Sequence, residues 1–345
     1  MKKENLLRRQ IKHFDIKSFN CIPLVEQFKD MSLQARNIAE AARMYDTMLC
    51  DKECTIILCL AGSLFSAGLK KVVYDLIDNN MVDAVVSTGA IIADQDFFEA
   101  LGFSHYRGTN FIDDNDLMEV GIDRIYDTFI DEDQLRVCDA TITEIADSLP
   151  AGAYSSRQFI EFMGDYLEKN NPAADSVVLR ARQKGVPIFV PAFSDCSAGL
   201  GLVLHQWKKQ ENERVAIDSV KDLLELTGIK AASKNTGLFI VGGGVPKNFA
   251  QDITIAADIV GESVDMHRYA IQVTVADERD GALSGSTLKE AHSWGKVGNE
   301  FEQMVFSEAT VALPIIASSA YHAGNWKSRE EKRFNNLLDN SSSKI

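Results

Sequence analysis

Short continuous apolar runs alternate with stretches of helical period along most of this chain. Met31 to Met48 places Ile38, Ala41, Tyr45 and Met48 at helical spacing with Arg36, Glu40 and Arg43 off that stripe, so it predicts an amphipathic helix. Thr55 to Leu60 is a continuous apolar run followed by Ala61-Gly62-Ser63, the pattern of a buried parallel strand that turns into a helix, here from about Ser66 to Ile77. The alternation repeats with a strand at Val82 to Val86, a turn at Ser87-Thr88-Gly89-Ala90 and a helix at Asp94 to Leu101, which completes a βαβ unit. Further helices are predicted over Ser155 to Asn170 and Pro172 to Lys184, and Gly185-Val186-Pro187 leads into a strand at Ile188 to Val190. Ala216 to Leu226 predicts a helix with Ile217, Val220 and Leu224 on its apolar face and Gly228 as its C-cap. The strand Gly237 to Val241 runs into Gly242-Gly243-Gly244, with a helix after Pro246 toward Ala257, and Tyr269 to Val275 and Ala309 to Leu313 read as two more buried strands.

The remaining stretches set the boundaries. Residues 103–150, with the acidic clusters Asp113-Asp114-Asn115-Asp116 and Asp131-Glu132-Asp133, read as insertion loops and short helices. Residues 1–30 mix Lys2-Lys3 and Arg8-Arg9 with apolar patches and form an N-terminal extension, whereas 326–345 is a charged tail ending in Ser341-Ser342-Ser343 that predicts disorder. No repeat or Pro/Ser linker interrupts 31–325, so the pattern predicts one α/β domain with six or more mostly parallel strands flanked by helices.

Composition narrows the function classes. At 345 residues and 46% hydrophobic the chain can bury a full core, and no run of eighteen apolar residues predicts a membrane span. Met-Lys-Lys-Glu-Asn leads into charged residues and not into a signal segment, so a cytoplasmic protein is expected. Six cysteines without a CxxC pair suit reduced thiols, and Cys50 with Cys54 lacks the second pair a zinc site needs, so no metal is expected. A net charge of −14 argues against a nucleic-acid partner and fits a cationic substrate, although acidic composition also serves solubility.

The chemistry is concentrated in Asp280 to Lys296, a glycine-punctuated loop that runs into a short polar helix and a lysine. An unprotonated lysine is a nucleophile, and Trp294 offers the apolar wall that disfavours its charge. Asp280, Glu290 and the Trp294 indole together offer an alkyl-ammonium substrate anionic ends and an aromatic face. An exposed loop with a solvated lysine is the alternative. The three glycines after Val241 let backbone amides approach a phosphate, or else make only a tight turn, since the G-x-G-x-x-G spacing is absent.

Ser293-Trp294-Gly295-Lys296, preceded by Glu290-Ala291, Ser284-Gly285 and Asp280-Gly281, resembles the active-site lysine motif of the deoxyhypusine synthase family. Four other blocks follow the family's order: Ser66-Ala67-Gly68 through Asn80-Met81-Val82-Asp83, Ile188 to Gly199, Gly237 to Lys247, and Glu308 to Pro314. The resemblance covers roughly residues 12–325. It implies a Rossmann-like fold, a homotetramer with each site built across a subunit interface, and NAD as cofactor. It also implies a reaction in which an amine is oxidised with NAD, its aminobutyl group is loaded on Lys296 as an imine, and a second amine accepts the group before reduction.

By the same resemblance Ser66, Thr88, Gly89, Asp94, Asp195, Gly243, Glu308 and Ala309 match cofactor positions, and Asp280, Ser284, Glu290, Trp294 and Asn248 match the polyamine pocket. Glu308 stands for the usual aspartate and Asp94 for the usual glutamate. Leu283 and Leu200 replace aspartates of spermidine-using members, and Asn248 replaces a histidine. Losing carboxylates removes partners for a buried ammonium. Either the amine differs from spermidine, or Asp277 and Glu278 recognise it. The acceptor implied is a small amine, as in homospermidine synthases, or a protein lysine, and a non-catalytic NAD-binding homologue is the alternative.

Overall fold

The computed structural model describes residues 2–279, 281 and 287–341. In chain order its strands are β1 (Cys54–Leu60), β2 (Ala84–Ser87), β3 (Tyr106–Arg107), β4 (Ile122–Ile125), β5 (Thr128–Asp131), β6 (Gly152–Tyr154), β7 (Ile188–Phe189), β8 (Val215–Ile217), β9 (Asn235–Val241), β10 (His267–Thr274) and β11 (Val297–Phe306). Six of them form one sheet in the order β11-β10-β9-β1-β2-β7, and every pairing in it is parallel. The expected α/β fold with a parallel sheet is therefore present.

Side chains alternate across the pleat, so the continuous apolar run of β1 serves two cores. Ile56, Leu58 and Leu60 join the larger one, with Tyr45 and Met48 of helix Leu33–Cys50, while Ile57 and Cys59 join a second with Leu226, Ile229, Ala250 and Ile253. From β1 the chain steps outward through β2 to β7, then returns to β9 on the other side of β1 and steps outward through β10 and β11. The C-terminal ends of β1 and β9 thus flank a topological switch point, where open α/β sheets leave a crevice for ligands.

Several expectations are corrected. Ala309 to Leu313 opens the helix Ala309–Ala323, which is apolar because Ala312, Leu313, Ile316 and Ala317 are buried; a short buried run does not by itself separate strand from helix. The polar strand β11 escaped notice because most of its residues are only partly buried or exposed, so it shows no continuous apolar run. Helix Ser197–Lys208 also went unread.

Residues 103–150 hold a three-stranded sheet in the order β3-β5-β4 and the 17-residue helix Glu132–Ser148. Their acidic clusters mark helix starts, with Asp113 accepting from the Asn115 N–H and Asp131 from those of Asp133 and Gln134. The predicted helix at 216–226 begins at Ser219 instead, capped by Asp218; Val220 and Leu224 face solvent, and Gly228 lies inside it. The predicted helix from Ser66 is broken at Gly68, where φ is +101°.

The described parts of both terminal segments are packed. Ile16 and Val25 belong to the larger core, and the Cys21 N–H donates to Ser318 Oγ at 3.1 Å. Contrary to the expected disorder, helix Phe334–Ser341 buries Phe334 and Leu338, and Arg329 pairs with Asp83 at 2.6 Å. Among the described residues no helix is long and apolar enough to cross a membrane.

Candidate active site

Two adjoining cavities open at the switch point. The larger, of about 790 Å³, is lined by Ser66, Gly242, Glu308 and Ala309 among others; the smaller, of about 120 Å³, takes Thr88, Gly89, Asp195 and Gly243, and Ala61 after β1 borders both. The larger volume lies in the range of small-molecule and cofactor pockets. The glycines make the crevice narrow. Gly242 has φ +90°, and a Cβ there would stand 3.1 Å from that of Ala61; at Gly89 it would meet Cys196 Sγ at 2.7 Å. Helices Gly244–Ile259 and Ala309–Ala323 both begin at these walls; the first has no side-chain cap, so its leading N–H groups are available to an anion.

Of the residues matched to the cofactor, all but Asp94 border a cavity. Asp94 instead accepts from the Ala198 N–H at 3.3 Å, at the start of helix Ser197–Lys208. Glu308 accepts from the Thr310 N–H at 2.8 Å and caps the helix it precedes. Thr88 Oγ1 is buried with no hydrogen-bond partner among the described residues. A buried hydroxyl is costly unless a ligand or water completes it, so this wall fits a polar ligand such as NAD.

The lysine motif folds as a capped turn. Thr287 and Glu290 form a capping box at the start of helix Leu288–Ser293, and Gly295, at φ +73°, turns the chain from Trp294 into β11. Lys296 Nζ lies 2.6 Å from Asp252 Oδ1 and 5.4 Å from the Trp294 ring centre. Its side chain is 17% exposed, against 69% for Trp294. Thr254 Oγ1 donates to Gly295 O at 3.2 Å, which fastens the turn to helix Gly244–Ile259.

That helix also carries Lys247, buried in its first turn. Burial pushes the Lys247 amine down to about 8, helped by the Lys296 charge and opposed by that of Glu290. Asn248 Nδ2 donates to Gly244 O at 2.9 Å, tying this side chain to the turn after β9. Glu290 is solvent-exposed and partly committed to its capping box. Asp280, Leu283 and Ser284 lie outside the described residues. Asp277, an expected recognition group, is exposed and held by Arg279 at 2.8 Å.

Lys296 precedes β11, whereas Ser307 and Glu308 follow it, so the backbone of the lysine is separated from that wall of its own cavity by about 30 Å of strand. Lys296 borders neither cavity. Sequence reasoning missed Asp252 and the buried state of Lys247, because neither a lone aspartate nor a lysine in a helical run carries a spacing signal. No group of three or more metal-ligating side chains occurs among the described residues.

The family model "Deoxyhypusine synthase" matches residues 23–320. A "Deoxyhypusine synthase-like protein" of Chlorobaculum parvum is 61% identical over 340 residues, covering 98% of this chain and 97% of that protein. "Probable deoxyhypusine synthase 2" of Methanosarcina mazei is 40% identical over 320 residues, covering 92% and 90%. Among solved structures, a putative deoxyhypusine synthase from Entamoeba histolytica superposes with a TM-score of 0.60 at 19% identity, covering 93% of this chain and 99% of that one, a likeness of fold. The lysine turn, the switch-point crevice and a match across most of the chain's length lead to one conclusion: this protein belongs to the deoxyhypusine synthase family.

Proposed function

We propose that the chain is an NAD-dependent aminobutyl transferase that acts on a cationic amine, loads its alkyl group on Lys296 and passes it to a small amine acceptor. The observation that carries this reading is the setting of Lys296, largely withdrawn from water between the Asp252 carboxylate and the Trp294 ring, with buried Lys247 in the same field.

Ser66, Thr88, Asp195, Glu308 and the Gly243 turn are the residues that would hold NAD, the carboxylates accepting from ribose hydroxyls and the uncapped N-terminus of helix Gly244–Ile259 facing phosphate. Bound there, NAD supplies reversible hydride acceptance. The chain's own part is to hold and release the lysine. Asp252 pairs with the Lys296 ammonium in the structure; a cationic substrate that takes this carboxylate makes Lys296 easier to deprotonate, and once its proton has passed to solvent the neutral amine attacks carbon. The Trp294 face then remains for the substrate's alkyl-ammonium.

Because Lys296 and the larger cavity lie at opposite ends of β11, a site across an interface between copies suits this chain, and a homotetramer is the assembly proposed. Leu200, Val203 and Trp207, exposed along one face of helix Ser197–Lys208, give an apolar surface that another copy could cover. Leu200, Leu283 and Asn248, in place of charged or ionisable residues, favour an amine other than spermidine and a small acceptor over a protein lysine.

The reading is tested by incubating purified protein with NAD and putrescine, spermidine or agmatine in pairs, with mass spectrometry of the small products. An alkylated polyamine product is expected. Reduced cofactor without any group-transfer product would reject the transferase and leave a simple dehydrogenase.

A further inference from the structure

A second groove, of about 710 Å³, adjoins the larger cavity and shares Ile11, Ala67 and Arg107 with it. Its character is different. Arg8, Arg9, Lys12 and Arg107 line it and no acidic side chain does, in a chain whose net charge is −14. Acidic residues are plentiful elsewhere, yet among the described residues none of these four cations is in an ion pair; Arg8 bonds only the Asn5 amide oxygen. Like charges gathered without a counter-charge repel one another, and an anion placed among them relieves that cost.

The cations stand on backbone that is held in place. The Arg107 N–H donates to Arg9 O at 2.7 Å, the Ile11 N–H to His105 O at 2.9 Å and the Phe14 N–H to Gly68 O at 2.9 Å. His13, the residue after Lys12, pairs with Glu99 at 2.8 Å. Gly68 is a close fit, since a Cβ there would stand 2.9 Å from Lys12 O.

We propose that this groove is a binding site for a small phosphate-bearing ligand, separate from the dinucleotide cavity. Guanidinium forks match phosphate oxygens in pairs, and a cluster of three arginines and a lysine calls for a multiply charged anion. A dinucleotide's own diphosphate has a place elsewhere, at the glycine turn after β9 and the helix that starts there. The groove is therefore left for a second ligand that approaches the same cavity. Nucleic acid fits poorly, because a patch of this size would leave most of a polyanion against an acidic surface.

Inorganic pyrophosphate is the probe, read by thermal unfolding of the full chain against sodium chloride at matched ionic strength. The wild type should show a saturable rise in melting temperature that is lost in Arg9→Ala/Lys12→Ala, whose positions are exposed. The same rise should add to that produced by saturating NAD, which is measured separately and reports on the cofactor reading alone. An equal rise with chloride, an unchanged rise in the double variant, or competition between pyrophosphate and NAD would each overturn the separate site.

Discussion

Thr88 concentrates the residue-scale argument in one atom, a hydroxyl buried at the cavity wall without a partner among the described residues. Thr88→Val keeps the shape and removes that atom. The expected outcome is a melting temperature no lower than wild type without NAD, together with a smaller NAD-induced rise, because an unsatisfied buried group costs about 1–3 kcal/mol until a ligand completes it. A full-sized NAD shift in the variant would take the hydroxyl out of the site. Asp252→Asn tests the lysine's partner. The carboxylate is 46% exposed, so unfolding should change by less than about 1 kcal/mol, whereas the KM for the amine should rise if substrate takes this carboxylate. An unchanged KM would mean that Asp252 serves the resting lysine only. Lys296, Trp294 and the glycine turn were legible because motifs record them. Asp252 was not, since its meaning comes from a lysine 44 positions away that only the fold brings near.

At the scale of elements, strands buried on both faces were readable and those with one open side were not. β1, β2 and β9 declare themselves as continuous apolar runs, while β11, at the sheet edge, reads as polar. Helix Ala309–Ala323 was mistaken for a strand because burial removes the polar face that betrays helical period. The C-terminal helix shows the opposite error. Its charged flanks suggested disorder, but Phe334 and Leu338 are fixed in the second core and Arg157 reaches Asp339 at 3.0 Å. Leu338→Ala should therefore cost about 2–5 kcal/mol in urea unfolding, the ordinary loss for a buried leucine, whereas a disordered tail would lose nothing.

At the scale of the whole molecule, buried ionisable groups set the pH dependence of stability. Burial pushes Asp222 up to about 7 from an ordinary 3.8 and Glu161 up to about 7 from 4.5, the Arg157 charge offsetting part of it at Glu161. Between pH 4 and 7 the folded chain binds more protons at these carboxyls than the unfolded chain does, so their contribution is present below that window and is lost as pH rises through it. Lys230 and Lys247, both lowered to about 8 by burial, act in the other sense and favour folding as pH rises from 8 to 10.5. Asp222→Asn should flatten the fall in stability between pH 4 and 7 measured by denaturant unfolding, and an unchanged slope would assign that fall to other groups. Assembly belongs to this scale as well. Light scattering under assay conditions should give a tetramer of the 38.2 kDa chain, and an active monomer would refute a site shared between copies.

The central claim is that Lys296 carries the alkyl group, and intact-protein mass spectrometry after borohydride reduction of a reaction with NAD and the accepted amine tests it most directly. The account predicts one aminobutyl increment per chain, mapped to Lys296 by peptide digestion and absent in Lys296→Arg, which keeps the charge but cannot form an imine, while the NAD-induced melting shift survives. Group transfer that persists in Lys296→Arg, or an increment mapped to another residue, would contradict it.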